Sequence, residues 1–242
     1  MGKYFFKNEE RHGDCVTLTG QSAHHLINVM RVGVGCEVIL CDGMNSDFMA
    51  KVVSLNDKPA AITFNLLSQQ PSKTETLFPI TLFQGLPKGD KMEWIIEKAV
   101  ECGVAKIIPV SMARSVVKIK DSTKKAERFS RIAESAAAQS MRGIIPDVLP
   151  PQSFTSALAY ADDSFNLVAY ENENNDTVKS SLKSTSPRPT SLWIGPEGGF
   201  DNYEIQALKD IGAITISLGP RILRTETAGI VAISQIIYHW DK

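Results

Sequence analysis

Two glycine-rich turns near the carboxyl end, each following a short apolar strand, constrain this chain more than any other feature. The first runs Ser191-Leu192-Trp193-Ile194 and then Gly195-Pro196-Glu197-Gly198-Gly199. The second runs Ile214-Thr215-Ile216-Ser217-Leu218 and then Gly219-Pro220-Arg221-Ile222-Leu223-Arg224-Thr225-Glu226-Thr227-Ala228. Each turn leads into a helical pattern. Loops at the carboxyl ends of neighbouring parallel strands are where open α/β sheets bind ligands, and glycine lets bare backbone amides approach a ligand closely. Gly-Pro after a strand is also ordinary turn punctuation, so either loop alone reads as structural. Arg221, Arg224, Glu197 and Glu226 change that balance, because a turn needs no charged residues beside its glycines. Together the two loops predict one small-molecule pocket.

The rest of the chain changes period once. Residues 3–6, 15–18, 37–41, 47–54 and 60–67 read as short strands, with Asp42-Gly43 as a turn between two of them. A helix interrupts at residues 22–31, with Ser22 as its N-cap. Strands at this spacing predict a small β-barrel. The polar residues 68–75 read as a linker. Beyond them strands alternate with helices. Residues 80–83 precede a helix opened by Asp90 and Glu93 as a capping-box variant and stopped by Gly103. A strand at 106–110, a long helix at 124–142 and a strand at 165–170 follow. Residues 171–190 read as an exposed loop with at most a weak helix. Asp201 and Glu204 cap another helix, which Gly212 stops. The last helix, Thr225–Trp240, is apolar almost all round, so more than one face needs cover. This alternation predicts an α/β fold with a mostly parallel sheet. The expected domains are residues 1–70 and 71–242.

Composition excludes several classes. The 43% hydrophobic content suits a globular chain with a core, and no run approaches the roughly 18 apolar residues of a membrane span. Residues 1–7 lack a long apolar segment, so no export signal is expected and the expected compartment is the cytoplasm. Cys15, Cys36, Cys41 and Cys102 then read as reduced thiols without metal-site spacing; Cys36 and Cys41 could both face a barrel interior. His12, His24, His25 and His239 contain no i, i+4 pair suited to zinc, so no metal is expected. Residues 1–72 carry six Lys/Arg against seven Asp/Glu, and the remainder carries twenty of each. Neither part is basic overall, so charge alone does not announce a nucleic-acid binder. Locally, Arg114, Lys118, Lys120, Lys124, Lys125, Arg128 and Arg131 outnumber Asp121 and Glu127. That stretch is either a solvated helix face or a phosphate-tracking patch. An early G-x-G-x-x-G, a Walker lysine loop and a G-x-S-x-G elbow are absent. The ligand site is therefore expected late in the sheet, without metal or P-loop.

Further motifs extend along the chain: His24-His25-Leu26, Met30-Arg31, Gly35-Cys36-Glu37, Lys88-Gly89-Asp90-Lys91-Met92-Glu93-Trp94, Ile108-Pro109-Val110, Arg114-Ser115-Val116 and Gln139-Ser140-Met141-Arg142. With the two glycine loops, they make the chain resemble, nearly end to end, the bacterial 16S ribosomal RNA uridine-N3 methyltransferases of the SPOUT superfamily. The Gly-Pro-Glu-Gly-Gly loop also occurs in other SPOUT enzymes, and residues 218–228 narrow the resemblance to this family. Some members carry an acidic residue at the position of Ala138 and glycine at that of Met141. The resemblance implies a SPOUT domain with a deep trefoil knot and a PUA-like β-barrel that helps hold RNA. It implies S-adenosylmethionine as methyl donor, bound bent in the knot. It also implies a homodimer with a shared active site, and 16S ribosomal RNA of the small ribosomal subunit as substrate. Tyr170, Ile194, Gly195, Gly199, Leu218 and Gly219 would hold the donor together with Ile222, Leu223 and Thr225. Arg31, Arg114, Lys118, Lys120 and Arg142 would contact RNA.

Methyl transfer to uridine N3 is an in-line displacement in which the N3 proton must leave. It needs stabilisation of negative charge on the uracil and a proton acceptor. Arg221 or Arg224 meets the first need. Glu197, Glu226 or solvent meets the second, although Glu226 also sits in the first turn of a helix, where the dipole favours it. Two other readings compete. A non-catalytic RNA-binding assembly factor could tolerate loss of the glycines, which are intact here. SPOUT enzymes acting on transfer RNA ribose usually lack the N-terminal barrel.

Overall fold

The computed structural model describes residues 3–117, 122–161 and 164–241; Lys118 and Lys120 lie outside the described residues. The chain forms two compact units, residues 1–75 with 137–145, and residues 76–136 with 146–242. The first unit therefore runs beyond residue 70 and recruits a segment from much further along the chain.

In the first unit, β1 (Tyr4–Phe5), β2 (Arg11–His12), β3 (Cys15–Thr19), β4 (Glu37–Cys41), β5 (Ser46–Asp57) and β6 (Ala60–Pro71) form one sheet. Its order is β1-β4-β5-β6-β3-β2, antiparallel except for β1 beside β4. The strands expected to make a barrel form this six-stranded sheet, which packs on buried Leu18, Leu40, Phe48, Ile62 and Phe64. Residues 68–71, expected in a linker, continue β6 because β5 offers them partners from Ser46 to Met49. The expected helix at residues 22–31 begins earlier. Gly20, at φ +62°, turns the chain out of β3 into α1 (Gly20–His24). A π-helical turn follows over His25–Val29, closed by the Met30 N–H donating to the His25 carbonyl at 2.9 Å. Ser22 thus lies inside the helix, and Thr19 occupies the N-cap with no side-chain bond. Cys36 is exposed while Cys41 is buried, so they share no interior. Burial pushes the Cys41 thiol up to about 12.

A buried ion pair ties the recruited segment to this unit. Arg142 Nη2 lies 2.5 Å from Glu75 Oε2, and Glu75 Oε1 accepts from the N–H groups of Gly143 at 2.8 Å and Ile144 at 3.2 Å. Burial pushes the Glu75 carboxyl up, but Arg142 and the two N–H groups outweigh it and hold it below the usual carboxylate range. Met141 beside it has φ +61°, a conformation that favours glycine. Arg142→Met removes the cation and leaves the part-buried Glu75 carboxylate with only its two N–H donors, and should lower the unfolding free energy at pH 7, read by urea denaturation, by about 3 kcal/mol. The folded pKa of Glu75 is depressed. Its contribution is present above the unfolded carboxylate pKa and is lost as pH falls through the folded one. The wild-type and variant stabilities should therefore converge on acidification.

The second unit contains β7 (Ile80–Gly85), α2 (Lys91–Glu101), β8 (Lys106–Ser111), α3 (Ser122–Gln139, whose last residues belong to the first unit), β9 (Asp147–Val148), β10 (Gln152–Ser153) and α4 (Phe154–Leu158). It continues with β11 (Phe165–Ala169), α5 (Val178–Leu182), β12 (Thr190–Ile194), α6 (Asn202–Asp210), β13 (Ile214–Ile216) and α7 (Thr225–Trp240). The sheet order is β10-β8-β7-β12-β11-β13, with β9 beside β8. Every pair is parallel. β12 is buried throughout, as a parallel strand covered on both faces should be. Its Trp193 stacks on Phe83 with centroids 4.0 Å apart and donates through Nε1 to Asn166 Oδ1 at 3.2 Å.

Helix starts divide by mechanism. The Asp201 and Glu204 box forms, with the Asp201 N–H donating to Glu204 Oε2 at 2.8 Å. Asp90 precedes α2 with φ −91° and ψ 9° and makes no side-chain cap bond. Glu93 instead pairs with Arg128 at 2.7 Å. No described helix is long and apolar enough to cross a membrane.

Candidate active site

β11 ends level with both of its neighbours, since Ala169 pairs with Ile194 of β12 and Ile216 of β13. The three loops leaving those strands therefore open at one place and line a cavity of about 480 Å³, within the range of small-molecule sites. Tyr170 borders it after β11, and Ile194, Gly195 and Gly199 border it at the end of β12. Leu218, Gly219, Ile222, Leu223 and Thr225 border it between β13 and α7. The charged residues Glu197, Arg221, Arg224 and Glu226 lie on the same wall.

The first loop can fold on itself only with small residues. Gly199 has φ +70°, and a Cβ there would collide with the Glu171 carboxylate. A Cβ on Gly195 would lie 3.1 Å from the Gly199 carbonyl carbon. Thr225 joins this loop to α7. Its hydroxyl donates to the Gly195 carbonyl at 2.6 Å and accepts from Gln84 Nε2 at 2.8 Å. Gln84 is fully buried at the end of β7. Thr225 thus borders the cavity, but its hydroxyl is engaged within the protein.

Two charged residues on the wall were not singled out from sequence, Lys91 and Glu171. Lys91 Nζ lies 3.1 Å from Glu197 Oε1 and 3.4 Å from Glu226 Oε2. Glu197 Oε1 also accepts from the Lys88 N–H at 3.1 Å. Burial pushes the Glu197 carboxyl up, but backbone N–H groups and the Lys91 ammonium outweigh it and hold it below the usual range. The Glu197 carboxylate, in turn, raises the Lys91 ammonium above its ordinary value. The sequence did carry a signal for both. Lys91 follows β7 and Glu171 follows β11, each just beyond the carboxyl end of a strand in the parallel sheet, the place such sheets use for ligands.

The residues expected to contact RNA are placed as follows within each unit. Arg31 is exposed in the first unit, with an unusual φ of +54°. Arg114 is exposed in the second unit, donates to the Gly198 carbonyl at 3.1 Å and lies 3.6 Å from Asp201. Arg142 is 3% exposed and paired with Glu75.

The residues present fit S-adenosylmethionine. Glycines leave bare backbone at the cavity edge for the polar groups of adenine and ribose, with Gly219 at φ +115° and open space beside it. Ile194, Leu218 and Leu223 offer apolar wall, and Glu171, Glu197 and Glu226 suit a cationic ligand.

Known proteins resemble this chain in sequence and fold. The RNA methyltransferase domain family matches residues 74–237, and the RNA methyltransferase PUA domain family matches residues 18–65. The chain is 38% identical to the ribosomal RNA small subunit methyltransferase E of Bacillus subtilis, covering 100% of this chain and 98% of that one. It is 34% identical to the Synechocystis protein of the same name, covering 91% and 72%. It superposes with a TM-score of 0.86 on a ribosomal RNA small subunit methyltransferase E from Neisseria gonorrhoeae solved bound to S-adenosyl methionine, at 29% identity over 99% and 98% of the chains. A methyltransferase from Legionella pneumophila, also in complex with S-adenosylmethionine, gives a TM-score of 0.86 at 29% identity over 98% and 97%.

Proposed function

The chain belongs to the ribosomal RNA small subunit methyltransferase E family, and on that premise we propose that it transfers a methyl group from S-adenosylmethionine to N3 of a uridine in 16S ribosomal RNA. The observation that carries this reading is the single cavity in which both glycine loops meet four charged side chains suited to the chemistry. When bound, S-adenosylmethionine supplies a methyl group on a sulfonium, which leaves as a neutral thioether. Arg221 or Arg224 stabilises the charge that develops on the uracil carbonyl edge, and preorganised donors of this kind carry most of such a barrier reduction. Glu197, Glu226 or solvent takes the N3 proton. Tyr170, Ile194 and the loop backbone hold the donor, and Ile222 and Leu223 press on its adenine. Arg31 and Arg114 track phosphates, joined by Lys118 and Lys120.

The finer architecture belongs to the same proposal. The first unit is the PUA-like RNA-binding domain and the second is a SPOUT domain with a deep trefoil knot. One observation supports the knot: β13 is the sheet edge, yet the next helix begins at Thr225, bonded to Gly195 and Gln84 beyond β11. The chain after β13 runs back past the end of β11 to reach them. The protein works as a homodimer in the cytoplasm. Its last helix carries Tyr238 88% exposed, apolar surface that a second copy would cover.

Deleting the gene should remove one N3-methyluridine from 16S ribosomal RNA, and restoring it should return the mark, read by mass-spectrometric mapping of methylated nucleosides. Identical uridine modification in both strains would overturn the proposal.

A further inference from the structure

We propose that Lys91 is a positioning residue, a charge clasp that holds the first glycine loop to the last helix and so sets the shape of the donor cavity. The inference rests on the donor-binding reading above. Three separate elements meet at one ammonium: Lys91 from the first turn of α2, Glu197 from the loop after β12, and Glu226 from the first turn of α7. Local electrostatics do not explain the lysine, because a cation at a helix N-terminus faces the positive end of the dipole. Tertiary contacts do explain it. Two carboxylates fall within reach of one ammonium, and Glu226 Oε2 is buried without a hydrogen bond among the described residues. With the ammonium removed, two like charges would face each other across the cavity mouth. Such pairs push one carboxyl pKa up, and the loop and the helix would separate to relieve the repulsion.

The other charges at this place are known. Arg221, Arg224 and Glu171 share the cavity wall. The Lys88 N–H donates to Glu197. Arg114 bonds the Gly198 carbonyl of the first loop and lies beside Asp201, and the Glu93–Arg128 pair lies further along α2. None of them bonds Glu226 Oε2.

The test is calorimetric titration of S-adenosylmethionine into the wild-type protein, Lys91→Met, Lys91→Arg and the double variant Lys91→Met/Glu226→Gln between pH 5.5 and 7.5. At pH 7.5 Lys91→Met should bind about tenfold more weakly than wild type, while Lys91→Arg stays close to wild type. The ratio of the two affinities should shrink toward pH 5.5, as protonation of one carboxylate relieves the repulsion. Titration of the donor itself cancels in that ratio. The double variant should recover most of the affinity at pH 7.5, which a merely misfolded Lys91→Met protein would not do. Wild-type affinity in Lys91→Met, or a loss that is constant with pH and unrepaired by Glu226→Gln, overturns the clasp alone. A wild-type protein that binds no donor at any pH overturns the functional reading and the clasp with it.

Discussion

Gly85→Ala should melt well below the wild-type protein and bind S-adenosylmethionine at least tenfold more weakly. A Cβ at Gly85 would lie 2.5 Å from the Pro196 nitrogen, 2.6 Å from its Cδ and 2.8 Å from the Gly195 carbonyl carbon. All three belong to the stem of the first glycine loop, where no flexible side chain can swing aside. β7 cannot retreat either, because Gln84 pairs with Ile194 in the parallel ladder and binds Thr225 through its side chain. Overpacking of this kind costs about 3 kcal/mol. In a chain of this size that is a fall of roughly 6–12 °C in Tm. Donor affinity falls because the displaced atoms are the cavity wall itself. Thermal melts and calorimetry read both effects. A variant that melts within about 2 °C of wild type would mean that the strand and loop separate more easily than their ladder implies.

Arg224→Ala should lower kcat by about 100-fold or more, the cost of one preorganised transition-state donor, with donor affinity nearly unchanged. Arg221→Ala should cost less. Both residues border the cavity, but they are not anchored alike. The Arg224 carbonyl accepts from the N–H groups of Thr227 at 2.9 Å and Ala228 at 2.8 Å, so its backbone is fixed at the head of α7. Arg221 lies in the preceding bend, beside the largely exposed Ile222. A guanidinium held from a fixed backbone loses less freedom when it meets its target. A fall in kcat without loss of donor binding marks an interaction made mainly in the transition state. Lysine at position 224 should recover little, because it lacks the planar fork that matches a carbonyl edge. Raising pH should not rescue Arg224→Ala, whereas it should partly rescue a variant that lost the proton acceptor. Wild-type rates in both alanine variants would move charge stabilisation elsewhere.

Much of the site was legible because its residues are close in sequence and share one backbone geometry. The strand before the first glycine loop and the helix Thr225–Trp240 stand where apolar runs and helical spacing put them, while the strand before the second loop stops at Ile216, two residues short of the expected Leu218. The box of Asp201 and Glu204 was legible for the same reason, since its partners are three residues apart. Asp90 and Glu93 have the same spacing and make no box, because Glu93 finds Arg128 instead. Ser22 did not cap its helix because Gly20 had already turned the strand. In both cases a contact or backbone angle outside the motif prevailed over local propensity.

By itself the sequence determined the alternation of elements, the two glycine loops and the residue types that border the cavity. Only the tertiary structure decided which side chains stay free to act. Arg142 looks like any basic residue until Glu75, 67 positions away, buries it in an ion pair. Thr225 looks like a ligand contact until Gln84 and Gly195 occupy its hydroxyl. Lys91 looks like a solvated lysine until two glutamates from distant segments converge on it. A residue's chemistry is written in its side chain. Its pairing depends on which distant segments the sheet order brings within a few ångströms, and no local period encodes that.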